Sequence, residues 1–244
     1  MKKRLDQLVV DRKLAPTRSQ AQARILAGEV LVRGVPSPKA GLLLPEDAEV
    51  RLATEGPRYV SRGGIKLAGA LDHFGIHPKG WVCLDVGAST GGFTDCLLQR
   101  GAVHVYTVDV GRGQLDPRIR NDARVTWKES FHARDLHPRL FPELADLAVV
   151  DVSFISLRKI LKPTLDCIRS GGVLLALIKP QFEAQRKDVR KGGVLRDESK
   201  RQEIFRRMTG FVTAELGLLN PEIVDSCLAG PKGNREAFLK AEKS

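Results

Sequence analysis

The segment Leu84-Asp85-Val86-Gly87-Ala88-Ser89-Thr90-Gly91-Gly92-Phe93 constrains this chain more than any other stretch. An apolar run at 82–86 ends in a glycine-rich turn and passes directly into a helical pattern that reaches Arg100. Glycines at a strand-to-helix turn accept positive φ and let the backbone approach a ligand closely. That arrangement belongs to open α/β sheets, where ligands gather beyond the carboxyl ends of the strands.

The rest of the chain agrees with such a sheet. Apolar runs at 104–109, 147–151 and 173–178 alternate with helical patterns, and weaker runs fall at 124–127, 223–226 and 237–240. They are continuous rather than alternating, which predicts parallel strands buried on both faces. The first residues read differently. Leu5, Leu8, Val9 and Val10 mark a short helix, Pro16 breaks it, and Thr17 or Ser19 can cap a second helix that Gly28 ends. Short strands are expected at 29–33 and 48–52. Gly56-Pro57 refuses both helix and strand. The expected class is therefore α/β: a small α+β module at 1–55, a linker at 56–60, and a doubly wound, Rossmann-like sheet at 61–244.

Three kinds of cofactor use a glycine turn of this type. A dinucleotide fingerprint needs G-x-G-x-x-G, and the second glycine is missing. A phosphate-binding loop needs a lysine at the helix start, where Gly92-Phe93-Thr94 supplies none. An acid two places before the first glycine, D-x-G-x-x-x-G, instead suits a cationic amino-acid cofactor such as S-adenosylmethionine. Asp109 ends the next strand 24 residues after Asp85, where an acid grips ribose hydroxyls in related folds. The candidate cofactor residues are Asp85, Gly87, Ser89, Thr90, Gly91, Gly92, Phe93 and Asp109. The plainer alternative is a turn that only packs strand against helix, and the second acid at the right spacing argues against it.

Forty basic residues against 29 acidic ones give a net charge of +11, which favours an anionic partner. Nucleic acid leads and an acidic membrane surface follows. No apolar run approaches the ~18 residues that span a bilayer, and charged residues interrupt the stretch after Met1-Lys2-Lys3-Arg4. No membrane insertion is expected. Four scattered cysteines give neither a disulfide framework nor a zinc motif, so a reducing cytoplasm is the expected compartment. His73 and His77 stand four apart, but Pro78 follows and no further ligand completes a metal set.

Charged residues also mark the strand tips. Asp151 follows one apolar run and Lys179 the next, while Lys66 stands in Ser61-Arg62-Gly63-Gly64-Ile65-Lys66 and Glu236 in Gly233-Asn234-Arg235-Glu236. The order Lys66, Asp151, Lys179, Glu236 resembles the Lys-Asp-Lys-Glu tetrad of ribose 2′-O-methyltransferases of the FtsJ/RrmJ type. The strings Val60-Ser61-Arg62-Gly63-Gly64, Asp151-Val152-Ser153-Phe154-Ile155-Ser156-Leu157 and Lys179-Pro180-Gln181-Phe182-Glu183 resemble the TlyA family in particular. Its members carry two names, ribosomal RNA cytidine 2′-O-methyltransferase and haemolysin. The resemblance covers nearly the whole chain and makes the first module similar to an S4 RNA-binding domain. It departs at Phe131-His132-Ala133-Arg134, where asparagine would be expected in place of His132.

The resemblance implies S-adenosylmethionine as cofactor, ribosomal RNA or ribosomal subunits as partner, and Lys66, Asp151, Lys179 and Glu236 as catalytic residues. A ribose hydroxyl is a poor nucleophile until it loses its proton, and Lys179 is the candidate for taking it. Lys66 and the two acids then orient the hydroxyl and Lys179. Arg4, Arg18, Ser19 and Arg24 in the first module, with Arg62, Arg186, Lys187, Arg190 and Lys191, are candidates for phosphate contact. Only 5% of residues are aromatic, so base stacking is not a broad signal. Two other readings stand beside this one: a membrane-active haemolysin, and a non-catalytic RNA-binding assembly factor.

Overall fold

The computed structural model describes residues 2–35, 38–52, 58–185, 188–189, 192–230 and 232–244. The chain divides into two compact units, Met1–Arg62 and Gly63–Ser244. Gly56 and Pro57 of the expected linker lie outside the described residues.

In the first unit, β1 (Lys2–Arg4), α1 (Leu5–Asp11), α2 (Arg18–Ala27), β2 (Val30–Val32), β3 (Leu43–Pro45) and β4 (Val50–Leu52) follow in order. β1 pairs with β3 and β2 with β4, both antiparallel. Thr17 caps α2 by accepting the Gln20 amide at 3.2 Å, and Gly28 closes it in the left-handed region. Leu5, Leu8, Val9, Ile25, Val30 and Val50 form its core. The sequence pattern points to β2 and β4 only. β1 is the basic triplet Lys2-Lys3-Arg4, and β3, Leu43-Leu44-Pro45, belongs to an apolar run that proline cuts too short to read as a strand.

The second unit runs α3 (Arg62–His73), β5 (Val82–Val86), α4 (Gly92–Gln99), β6 (His104–Val108), α5 (Pro117–Arg120) and β7 (Val125–Lys128). It continues with β8 (Ala145–Val150), α6 (Leu161–Asp166), β9 (Ile168–Ile178), α7 (Pro180–Glu183), α8 (Glu198–Gly210), β10 (Leu219–Asp225) and β11 (Ala237–Glu242). Seven strands form one sheet in the order β10-β11-β9-β8-β5-β6-β7. Five are parallel, but β11 runs antiparallel to both β9 and β10. The expectation of parallel strands therefore fails at one edge. The return from β10 to β11, residues 226–236, holds no helix among its described residues, and an antiparallel neighbour, unlike a parallel one, needs no helical crossover.

β5, β6, β8 and β11 leave no residue exposed, and Leu84, Val86, Val108, Ala148, Val150, Leu174, Ala176 and Leu239 join them and β9 into one core. β6 leaves β5 on one side and β8 pairs on the other, so the strand order reverses at β5. Such a reversal opens a crevice at the carboxyl ends of the strands. Among the described residues no helix is long and apolar enough to cross a membrane.

Candidate active site

The reversal at β5 opens a cavity of about 350 Å³ whose wall includes Gly87, Ser89, Asp109, Val110, His132 and Phe154. Gly87 has φ +89°, and a Cβ there would stand 2.6 Å from the Asp151 carbonyl oxygen. Only glycine allows the β5 turn to lie this close to the end of β8. The Asp109 carboxylate accepts the Ser89 amide at 2.8 Å and the Gly111 amide at 2.6 Å. It thereby fixes the turn while facing the cavity.

The other candidate cofactor residues sit differently. Asp85 is fully buried beneath the turn, its Oδ2 accepting the Thr94 hydroxyl at 2.7 Å and its Oδ1 without a partner. Burial raises its pKa to about 7, the Thr94 hydrogen bond opposes that rise, and the nearby Asp151 and Asp109 charges add to it. Gly91 is the left-handed N-cap of α4, Gly92 opens that helix, and Phe93 packs on Phe238 in the core at 6.0 Å between ring centres. Thr90 is exposed and its carbonyl accepts the Asp116 amide.

A second cavity, of about 390 Å³, has Lys66, Asp151, Lys179 and Glu236 together in its lining. Asp151 and Lys179 follow β8 and β9 directly, and Glu236 directly precedes β11. Because β11 is antiparallel, with Ala237 opposite Ile178, its first residue meets the last residues of the parallel strands. Lys66 comes from α3, and its Nζ donates to Glu236 Oε2 at 2.6 Å. Lys179 Nζ lies 2.6 Å from Asp151 Oδ1 as an ionic contact, while its directional hydrogen bond goes to Ser153 Oγ at 2.9 Å. Each lysine thus has its own carboxylate. Gly230 backs the group, since a Cβ there would collide with Glu236 Oε1.

Asp151, Ser153 and Phe154 line both cavities, so the two spaces adjoin. Phe154 is 91% exposed and has φ +64°, a strained conformation for an aromatic residue that costs about 1–3 kcal/mol. Its ring rests on Phe182 with centres 5.2 Å apart. Ser153, Phe154 and Asn234 carry no expectation from the sequence as site residues. The signal for the first two is their place in the loop after Asp151. Asn234 is buried, accepts the Leu195 amide at 2.9 Å and donates to the Gly193 carbonyl at 2.8 Å.

Residues 59–243 match the FtsJ-like methyltransferase family, and residues 3–48 match the S4 domain. The chain belongs to the FtsJ-like methyltransferase family. It is 42% identical over 241 residues to the 16S/23S rRNA (cytidine-2′-O)-methyltransferase TlyA of Mycobacterium tuberculosis, covering 97% of this chain and 88% of that one. It is 41% identical to hemolysin A of Brachyspira hyodysenteriae, covering 96% and 97%. A structure from Streptococcus thermophilus named as a hemolysin superposes with a TM-score of 0.76 at 39% identity, covering all of this chain and 89% of the other. The α/β fold, the enzyme class and the family resemblance read from the sequence are borne out.

The first cavity of this FtsJ-like enzyme suits the cofactor class its family uses. The Asp109 carboxylate faces a space wide enough for a nucleoside, and Asp85 lies beneath the turn with one carboxyl oxygen unpartnered. Val110, Phe131 and Ile155 supply apolar walls. His132, where the resemblance leads one to expect asparagine, also lines this cavity.

In the S4 unit, Arg4 and Arg18 converge on one buried carboxylate. Asp6 accepts Arg4 Nε at 3.0 Å and Nη2 at 2.9 Å, Arg18 Nε at 3.1 Å and Gln22 Nε2 at 2.8 Å. These bonds, the Arg4 pair first, hold the Asp6 carboxyl well below the usual carboxylate range. Both arginines remain about half exposed. Ser19 is exposed, and Arg24 donates to the Leu14 carbonyl at 2.9 Å. Arg62 is half-buried at the start of α3. Arg186, Lys187, Arg190 and Lys191 lie outside the described residues.

Proposed function

We propose that this chain transfers a methyl group from S-adenosylmethionine to the 2′-hydroxyl of a ribose in ribosomal RNA, with cytidine as the nucleotide. The observation that carries the reading is the meeting of Lys66, Asp151, Lys179 and Glu236 on a cavity that shares a wall with the cofactor cavity. The names printed for the Mycobacterium relative, and for a Campylobacter jejuni relative 36% identical over 200 residues, support the substrate. The S4 match supports RNA as the partner, and a ribosomal substrate supports the cytoplasm as the compartment.

When bound, S-adenosylmethionine supplies an electrophilic methyl group on a sulfonium. This chain does the rest. Asp109, which fixes the glycine turn, would hold the ribose of the cofactor, and Asp85 beneath the turn anchors α4 through the Thr94 hydroxyl. Lys179, held between Asp151 and Ser153, takes the proton of the target hydroxyl. The Lys66–Glu236 pair holds a further part of the lining of the acceptor cavity. Positioning of this kind supplies several kcal/mol of barrier reduction, of the order of 7–11 where alignment is complete.

The haemolysin reading finds no support in the site. Two lysine–carboxylate pairs around a cleft serve no lytic surface, but they match the needs of methyl transfer to a hydroxyl. The test is incubation of the purified protein with labelled S-adenosylmethionine and ribosomal subunits from cells lacking it, followed by mapping of the label. Label on a 2′-oxygen of cytidine is expected. Absence of label together with leakage of liposomes would favour the lytic reading.

A further inference from the structure

Glu183 takes no part in the tetrad, yet it is a buried carboxylate one short helix beyond Lys179. Its Oε2 accepts the Ser156 hydroxyl at 2.6 Å and its Oε1 accepts the Leu157 amide at 2.7 Å. Ser156 Oγ in turn accepts the Arg158 amide at 3.2 Å, capping the short turn Leu157–Lys159. The loop from Asp151 to Leu157 is therefore clasped at both ends. Asp151 and Ser153 are tied to Lys179 at one end, and Ser156 and Leu157 to Glu183 at the other.

Between the two clasps lies Phe154, in a left-handed conformation that an exposed loop left to itself would abandon. Its ring rests on Phe182, the residue before Glu183, and it lines both cavities. A strained, exposed residue persists only when its surroundings over-determine it. The surroundings here are these two clasps and the Phe182 ring. Burying a carboxylate is costly unless its hydrogen bonds are made, and Glu183 spends them on the backbone and side chain of this one loop.

We infer that Glu183 is a positioning residue for methyl transfer: it latches the loop 151–157 onto α7, and so sets Phe154 as the partition between cofactor and acceptor and holds Asp151 and Ser153 against Lys179. The inference rests on the methyl-transfer reading for its consequence, but the latch itself is a statement about the loop. Glu183→Gln keeps an acceptor for the Leu157 amide and a group that donates to Ser156 Oγ. Glu183→Ala keeps neither.

The test uses the full chain, labelled S-adenosylmethionine and ribosomal subunits from cells lacking the enzyme. Melting curves establish that each variant is folded. In Glu183→Ala, exchange of the Leu157 amide should speed up by about tenfold or more, and kcat should fall by about tenfold while the cofactor KM stays within about threefold. Glu183→Gln should restore most of both. Wild-type exchange or wild-type kcat in Glu183→Ala overturns the inference, and so does a glutamine variant as impaired as the alanine one. Should Glu183→Ala fail to fold, Ser156→Ala removes one bond of the latch. It should lower kcat by about threefold, and no change there is equally fatal. Wild-type protein that transfers no label would fail the methyl-transfer reading, and the exchange result would still decide the latch.

Discussion

Lys66 Nζ donates to Glu236 Oε2 at 2.6 Å, joining side chains 170 positions apart with 10% and 2% of their side-chain surface exposed. Breaking a buried pair by removing one partner leaves the other charge unpaired, which costs about 3–5 kcal/mol. Lys66→Met should therefore unfold at lower urea than the wild type. The double variant Lys66→Met with Glu236→Leu should recover much of the loss, because an apolar pair carries no desolvation penalty. Neither should methylate RNA. Equal midpoints for the single variant and the wild type would mean that the pair is solvated.

Lys179 separates two roles that a positive charge can play. If it takes the proton of the hydroxyl, arginine cannot replace it, since a guanidinium does not give up its proton in a protein. Lys179→Ala and Lys179→Arg should both lose methyl transfer by about a hundredfold or more. Cofactor affinity, measured by calorimetry, should stay within about threefold, because Lys179 lines the acceptor cavity and not the cofactor cavity. Substantial activity in the arginine variant would reassign Lys179 to charge alone.

Asp85 makes the stability of the protein depend on pH in an unusual direction. Its pKa rises from 3.8 in the unfolded chain to about 7 in the folded one, because the carboxyl is buried with one oxygen unpartnered. Between those values the folded state binds more protons than the unfolded state, so this group lowers stability as pH climbs from about 4 to about 7. The shift is roughly three units at about 1.4 kcal/mol each, an upper bound near 4 kcal/mol. Asp85→Asn should flatten that slope and raise the melting temperature of the cofactor-free protein at pH 8. A thermal series from pH 5 to 8 on both proteins checks it, and parallel curves would refute it.

The parts of this fold that could be read from sequence are those that bury long apolar runs. β5, β6, β8 and β9 announce themselves because both faces of each are covered. β9 begins earlier than its apolar run, at Ile168, since the stretch Arg169-Ser170-Gly171-Gly172 reads as a turn. The direction of β11 is not written in its residues either. It goes with the helix-free return out of β10, and it is what carries Glu236 to Lys179.

Legibility of the site divides along the same line. Asp109, Asp151 and Lys179 stand out as charges that end apolar strands. Lys66 and Glu236 do not, because their common environment arises only when α3 and β11 meet in space. Asp85 shows the opposite limit: the pattern D-x-G marks the turn but does not tell whether the acid faces the cavity or lies beneath it. Glu183 gave no signal, since its partners Ser156 and Leu157 are 27 and 26 residues away.

Asp6 lets charge count and geometry be told apart in RNA binding. Replacing it with asparagine adds one unit of positive charge to the surface proposed to contact phosphates, so a count of charges predicts tighter binding. The structure predicts weaker binding. Asp6 holds the Arg4 guanidinium through two bonds and the Arg18 guanidinium through a third, leaving their remaining N–H groups in one fixed arrangement. Without it, both side chains regain rotamer freedom that must be lost again on contact, at about 0.5–1.5 kcal/mol each. Asp6→Asn should therefore lower affinity for ribosomal subunits by about threefold to tenfold at physiological salt, with the salt slope unchanged. Arg4→Ala and Arg18→Ala should each lower affinity and reduce the salt slope by about one. Filter binding across a salt series reads both quantities, and tighter binding by Asp6→Asn would show that the arginines need no organiser.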